Sequence, residues 1–209
     1  MKKTLSSEVK KTASIHWCIQ NPNVPTNKTM IVYRDLISGD EVLSDAYKLL
    51  PVVDAEGNVV EGLMMCESKN IQKGGDDVDV GCGNAFGSGG DEGGDGVDNT
   101  VQTVNNVIDG FQYTETQIGT ANDFKAWIKE YMNLVVTKLR EAGKPKEQIQ
   151  AFKTSAPNVA KFFLSKFSDV QFYLGPSFDS QTMVFSIYDD GALTPNFYFI
   201  MGGLIAEKF

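Results

Sequence analysis

Apolar residues return at helical spacing over residues 120–140. Phe124, Trp127, Ile128, Tyr131, Leu134 and Val135 fall on one stripe, the period of an amphipathic helix. The preceding "TAND" is a capping pattern. "EAGKP" at 141–145 ends the stripe: Gly143 suits a C-terminal cap and Pro145 a new first turn. A second helix is predicted over 145–167, with Ile149, Phe152, Val159, Phe162, Phe163 and Phe167 as its stripe. Pro157, which lacks an N–H, is expected to kink or interrupt it. So short a connection between two amphipathic helices predicts an antiparallel hairpin.

Elsewhere the pattern is strand-like. Residues 31–34, 47–53 and 58–66 are predicted strands, and "DAEGN" at 54–58 has turn chemistry, which makes 47–66 a hairpin. Residues 101–118 are rich in β-branched and aromatic side chains and also read as strand. Beyond the helices, strands are predicted at 169–174, 182–189, 195–201 and 203–207, separated by "GPSFDSQ" and "DDGALTP". Helices inserted as one block between strands indicate an α+β fold.

Charge adds an asymmetry. The 209 residues carry a formal charge of −8. Residues 1–29 hold five Lys against Glu8, and residues 120–167 hold nine Lys/Arg against four acids; the remainder holds five basic and 22 acidic residues. This is an acidic body with a basic arm and a basic helical segment. The hydrophobic content of 42%, with 13 Phe, suffices for the core of one domain. No apolar run approaches the roughly 18–20 residues of a membrane span. Residues 1–29 read as an extension outside the fold, expected to be disordered. Residues 74–100 hold ten glycines and seven acids without Lys or Arg, a composition that predicts a mobile acidic loop.

The chemistry on offer is limited. Cys18, Cys66 and Cys82 form no CxxC pair and His16 is the single histidine, which fits a reducing compartment and excludes His-based triads and His-rich zinc sites. Cys66 reads as core; Cys82 has no basic neighbour to lower its pKa. No nucleophile is paired with a base, and no Gly-rich segment leads into Lys-Ser/Thr, so no enzyme is expected. "DEGGDGVD" at 91–98 places Asp91, Asp95 and Gly96 at EF-hand positions one, five and six, but Gly93 and Gln102 stand where acids are needed. A weak Ca²⁺ site from Asp76, Asp77, Asp79 or Asp91, with affinity of roughly millimolar order, competes with a merely solvated loop. Asp40, Glu41 and Asp45 form either a binding cluster or a polar turn in which Ser44 or Asp45 caps a short helix. Tyr33 and Arg34 read as a strand aromatic and a partner for an acid. The cations Lys125, Lys129, Lys138, Arg140, Lys144, Lys146, Lys153, Lys161 and Lys166 suit either an acidic partner or an ordinary solvated face. Nucleic acid is disfavoured because the patch holds one Arg and the whole chain is acidic.

"MIVYRDLISGDEVLSDAYK" (30–48), the acidic Gly-rich loop, the basic helical hairpin, "VQFYLG" (170–175), "TPNFYFI" (194–200) and "GGLIAEKF" at the end occur in one order. Together they resemble the translationally controlled tumour protein family over residues 30–209. In that family the chain normally begins at the methionine matching Met30, so residues 1–29 depart from it. The loop signature resembling I-G-x-N-x-S-A-E keeps Gly83 and Asn84 but has Phe86-Gly87-Ser88 for Ser-Ala-Glu. The signature resembling F-[FY]-x-G-E keeps Phe172, Tyr173 and Gly175 but has Pro176 for Glu. The C-terminal Cys of some animal members is absent.

The resemblance implies a β-tent, a mostly antiparallel two-sheet body with a projecting helical hairpin, similar to chaperones of nucleotide-free small GTPases. It implies a cytoplasmic, non-enzymatic regulator acting in growth control. A Rheb-like small GTPase would contact Glu41, with Asp40 and Tyr33 beside it. Tubulin and microtubules would meet the hairpin at Lys125, Lys129, Lys138, Arg140, Lys144, Lys146 and Lys153, and Ca²⁺ would bind weakly. No organic cofactor is expected, and the chain is expected to be a monomer. The alternative is an abundant chaperone-like protein with many weak partners and no preference for a nucleotide state.

Overall fold

A computed structural model describes residues 30–74 and 102–209. A three-stranded antiparallel sheet contains β1 (Ile31–Asp35) between β2 (Glu41–Ser44) and the last strand of the chain. A six-stranded sheet starts from the hairpin β3 (Leu49–Val53) and β4 (Val59–Glu67). Asp54 closes that hairpin by accepting from the backbone N–H groups of Glu56 and Asn58, and Gly57 supplies the left-handed residue with φ +81°. Pro51 is tolerated because β3 is an edge strand. A small ribbon follows, β5 (Asn70–Lys73) with β6 (Gln102–Asn105). Next come α1 (Asn106–Phe111) and β7 (Thr114–Thr116), and then the long helices α2 (Ala121–Glu141) and α3 (Lys146–Ser165). β8 (Val170–Leu174), β9 (Val184–Ile187), β10 (Asn196–Ile200), a 3-10 turn (Met201–Gly203) and β11 (Leu204–Lys208) complete the chain. The six strands run in the order β3-β4-β10-β9-β8-β7, all paired antiparallel. β11 pairs with β1, and the Phe209 N–H donates to the Met30 carbonyl at 2.8 Å.

The large sheet is covered on both faces, which explains the sequence of its central strands. Every residue of β10 is buried, as expected for a strand without a solvent face. Tyr198 and Ile200 join Phe172, Phe185 and Leu63 against the helical hairpin. Phe197 and Phe199 face the other way, with Tyr173, Val184 and Cys66, onto Val42 and Leu43 of the small sheet. The architecture is therefore helical hairpin on large sheet on small sheet, and the α+β expectation holds.

Three local expectations are corrected. Glu41–Ser44 is a strand, and no helix is capped by Ser44 or Asp45: pairing of Val32 with Ser44 and Tyr33 with Leu43 overrides the polar composition. Residues 106–111, read as strand, are helical, because the Asn105 side chain caps them by accepting from the N–H groups of Val107 and Ile108. Pro157 does not interrupt α3. Buried Ile149 and Phe152 before it, and Val159, Phe162 and Phe163 after it, anchor the helix on both sides and offset a cost of about 3 kcal/mol.

Candidate functional site

The acidic segment is a tight connection from β1 to β2. Asp35 Oδ1 accepts from the backbone N–H groups of Ile37 at 2.8 Å and Ser38 at 2.9 Å, an Asx-type turn. Gly39 takes φ +78°, so the chain reverses without strain. The Asp35 N–H donates to the Asp40 carbonyl at 2.8 Å. Asp35 is buried, and burial pushes its carboxyl above the usual range, against the opposing pull of those hydrogen bonds; the neighbouring Asp40 charge pushes the same way as burial.

A folded-state pKa above the unfolded 3.8 means that the native chain holds this proton more tightly. The resulting stability is fully present below that value and is lost as pH rises through the folded pKa. Asp35→Asn keeps the Oδ1 acceptor without the buried charge. Its urea midpoint is expected to exceed that of the parent chain at pH 7 and to converge with it in acid. A difference independent of pH would contradict the assignment.

Asp40 and Glu41 behave differently from each other. Asp40 Oδ2 accepts from Ser177 Oγ at 2.6 Å and from the Ser177 N–H at 3.2 Å, which ties this turn to the loop between β8 and β9. A Cβ on Gly175 would lie 2.5 Å from that Oδ2. The glycine of the "FYLG" signature is therefore the space into which Asp40 fits, and Phe172 and Tyr173 of the same signature fill the two opposite cores. Glu41 is half-exposed on β2, with Oε1 2.7 Å from Arg34 Nη2. Arg34 Nε also lies 3.2 Å from Glu207 Oε2 on β11, an ionic contact without hydrogen-bond alignment. Such exposed pairs are worth about 1 kcal/mol or less, so their effect is to set where Glu41 points. Tyr33 on β1 packs against the core between the sheets.

One residue of this surface was missed in the sequence. Phe178, in the loop after β8, is 62% exposed and has φ +56°, a conformation that costs a non-glycine residue energy. The loop is held on both sides of it, by Ser177 on Asp40 and by the Trp127 Nε1–H donated to the Ser180 carbonyl at 2.8 Å. The only hint was "GPSFDSQ", an apolar residue amid turn formers.

The cations of the hairpin separate. Lys125, Lys129, Arg140 and Lys153 border one groove between α2 and α3. Lys138 lies outside it, 3.5 Å from Glu141, and Lys144 and Lys146 lie at the connection. Asp76, Asp77, Asp79 and Asp91 fall outside the described residues, as do Cys18, Cys82 and His16. Among the described residues no group of three or more His, Cys, Asp or Glu is arranged to hold a metal ion. Nor is any helix among them long and apolar enough to cross a membrane. Cys66 is fully buried, and burial pushes its thiol up to about 12, which makes it a core residue rather than a redox group.

The model of the translationally controlled tumour protein family matches residues 30–205. A curated homolog of that protein from Schizosaccharomyces pombe is 33% identical over 181 residues, which is 86% of this chain and all of the relative. One from Theileria annulata is 33% identical over 183 residues with the same coverage. Among solved structures, the translationally controlled tumor-associated protein p23fyp from S. pombe is 29% identical, with a TM-score of 0.62 over 86% of this chain and 99% of the other. The Caenorhabditis elegans protein shares the fold at 19% identity, with a TM-score of 0.53 over 86% of this chain and 98% of its own. Residues 1–29 lie outside the family match.

Proposed function

This chain belongs to the translationally controlled tumour protein family, and from that premise we propose that it is a non-enzymatic cytoplasmic regulator that binds a small GTPase of Rheb type through the β1–β2 edge. The observation that carries this reading is Glu41: an exposed carboxylate on a strand, held by Arg34 and next in the chain to Asp40, which is fastened to the loop that carries the exposed Phe178. A positioned carboxylate competes for the Mg²⁺ or the basic phosphate-binding loop of a GTPase and so favours its nucleotide-free form. Phe178 adds an aromatic contact, the residue type that dominates interface energetics. Tubulin association through the hairpin cations, and weak Ca²⁺ binding through Asp76, Asp77, Asp79 and Asp91, belong to the same proposal. Electrostatic attraction to the acidic tubulin surface would weaken with salt.

The test is capture from a lysate of the source organism, with EDTA to strip nucleotide. The intact chain is expected to retain a small GTPase only when nucleotide is removed, and Glu41→Ala to lose it by about thirtyfold, the effect of a contact of about 2 kcal/mol. Reversing Lys125, Lys129 and Lys138 is expected to abolish tubulin co-sedimentation, and Asn at the four aspartates to remove any calcium dependence. Equal capture by the intact chain and Glu41→Ala would favour the second reading, a chaperone-like protein without nucleotide-state preference.

A further inference from the structure

The outer side of the helical hairpin carries a groove of about 630 Å³. Its floor is apolar: Ile128, Met132 and Val136 come from α2, and Phe152, Ala160 and Leu164 from α3. Ile128 and Phe152 are buried and the other four half-buried. The small side chains of Ala156 and Ala160 leave the space between the helices open. Lys125, Lys129, Arg140 and Lys153 stand exposed along the border, and no acidic residue lines the groove. Exposed Asn133 and Thr137 complete the border; on a chain of charge −8, an apolar trough whose charged border residues are all cations is not an average surface.

We propose that this groove docks an acidic amphipathic helix of a partner protein. Length, floor and charge each favour that occupant. The border runs along α2 from Lys125 to Arg140, about 22 Å at 1.5 Å per residue, which matches about four turns of a docked helix. The floor suits a stripe of apolar anchors at i, i+3, i+4 and i+7, the helix-in-groove mode of recognition. The four cations would face Asp and Glu beside that stripe, giving complementary potentials. The chain's own acidic segment, residues 74–100, is a poor occupant: its ten glycines disfavour a helix and its apolar residues are few. The cations are shared with the tubulin reading, but the apolar floor is not, and the inference does not depend on tubulin being the partner.

The test uses the full chain and a fluorescent 18-residue model helix with Leu at i, i+3, i+4 and i+7 and Glu on the remaining face, followed by anisotropy. Two controls are a scrambled peptide of identical composition and a Glu-only peptide. The striped peptide is expected to bind at least tenfold more tightly than either control, with affinity falling as salt rises. Ala160→Met, which fills the trough, and Lys129→Glu combined with Arg140→Glu, which lies on the exposed border and leaves the core untouched, are each expected to reduce binding at least tenfold. Tubulin co-sedimentation followed in parallel separates the two readings: charge reversal acts on both, whereas Ala160→Met acts on the peptide alone. Equal binding of striped and scrambled peptides would reduce the groove to a charged surface and overturn the proposal. So would a border double variant that binds the striped peptide like the parent chain.

Discussion

Phe163→Ala is expected to destabilise the chain by about 3–5 kcal/mol, the largest effect of any single truncation considered. Phe163 is completely buried at the point where both long helices meet the large sheet. Its ring lies 4.4 Å, centroid to centroid, from Phe185 on β9. Phe162 stands 5.4 Å away, Tyr198 of β10 6.2 Å and Phe124 of α2 6.3 Å. Truncation removes the transfer energy of the ring and leaves a cavity that the surrounding aromatic side chains cannot easily close. For a chain of this size the melting temperature is expected to fall by roughly 6–20 °C. The control is Phe178→Ala, whose exposed ring contributes little to the core and should move stability by roughly 0.5 kcal/mol or less. Calorimetry of the three proteins decides the matter: a Phe163 variant melting within a degree or two of the parent would mean that the hairpin does not sit on the sheet as described.

The second large effect is expected at Gly203 and Gly202, in the 3-10 turn between β10 and β11. A Cβ at Gly203 would collide with Tyr131 Oη, and one at Gly202 with the ring of Phe152. Neither glycine has a positive φ, so the cost of alanine is steric rather than conformational. Overpacking of this kind costs about 1–3 kcal/mol. Because the clash at Gly203 is with one hydroxyl, Tyr131→Phe is expected to restore part of the loss in Gly203→Ala and none of the loss in Gly202→Ala. A double-mutant cycle read by urea denaturation tests this; equal rescue of both variants, or of neither, would refute the specific contact. The apolar run 195–205 is interrupted by these glycines, and the interruption is where α2 and α3 rest on the turn.

The helical hairpin was legible because its signals are local. Apolar residues at helical spacing, the Thr120 cap that accepts from the Asp123 N–H at 3.2 Å, and Gly143 with φ +64° all lie within a few residues of what they specify. The β3–β4 hairpin was legible for the same reason. β2 was not: four residues beginning with Glu41 carry little strand pattern, and what makes them a strand is the pairing with β1. α1 was hidden because six residues hold too few turns to show a helical period, although the Asn105 cap was there to be found. In the acidic edge the residue types were visible but their roles were not. That Asp40 is fastened to Ser177 while Glu41 is left facing outward depends on contacts between segments more than 130 positions apart. The groove lay still further from view, since it exists only in the way two correctly predicted helices lie beside each other.

The pairing of β1 with β11 has a consequence for how the chain can be cut and rejoined. The first and last strands of the domain are neighbours, and Met30 and Phe209 touch through the backbone. Once residues 1–29 are removed, a short linker between those two residues would close the polypeptide into a ring without bending either strand, leaving the opening of new ends free to be placed in an exposed turn such as 54–58. The same adjacency sets an order during synthesis. The small sheet cannot be completed until its final strand has been made, so the β1–β2 edge, with Glu41 on it, stays without its β11 neighbour until every other strand of the domain has been synthesised.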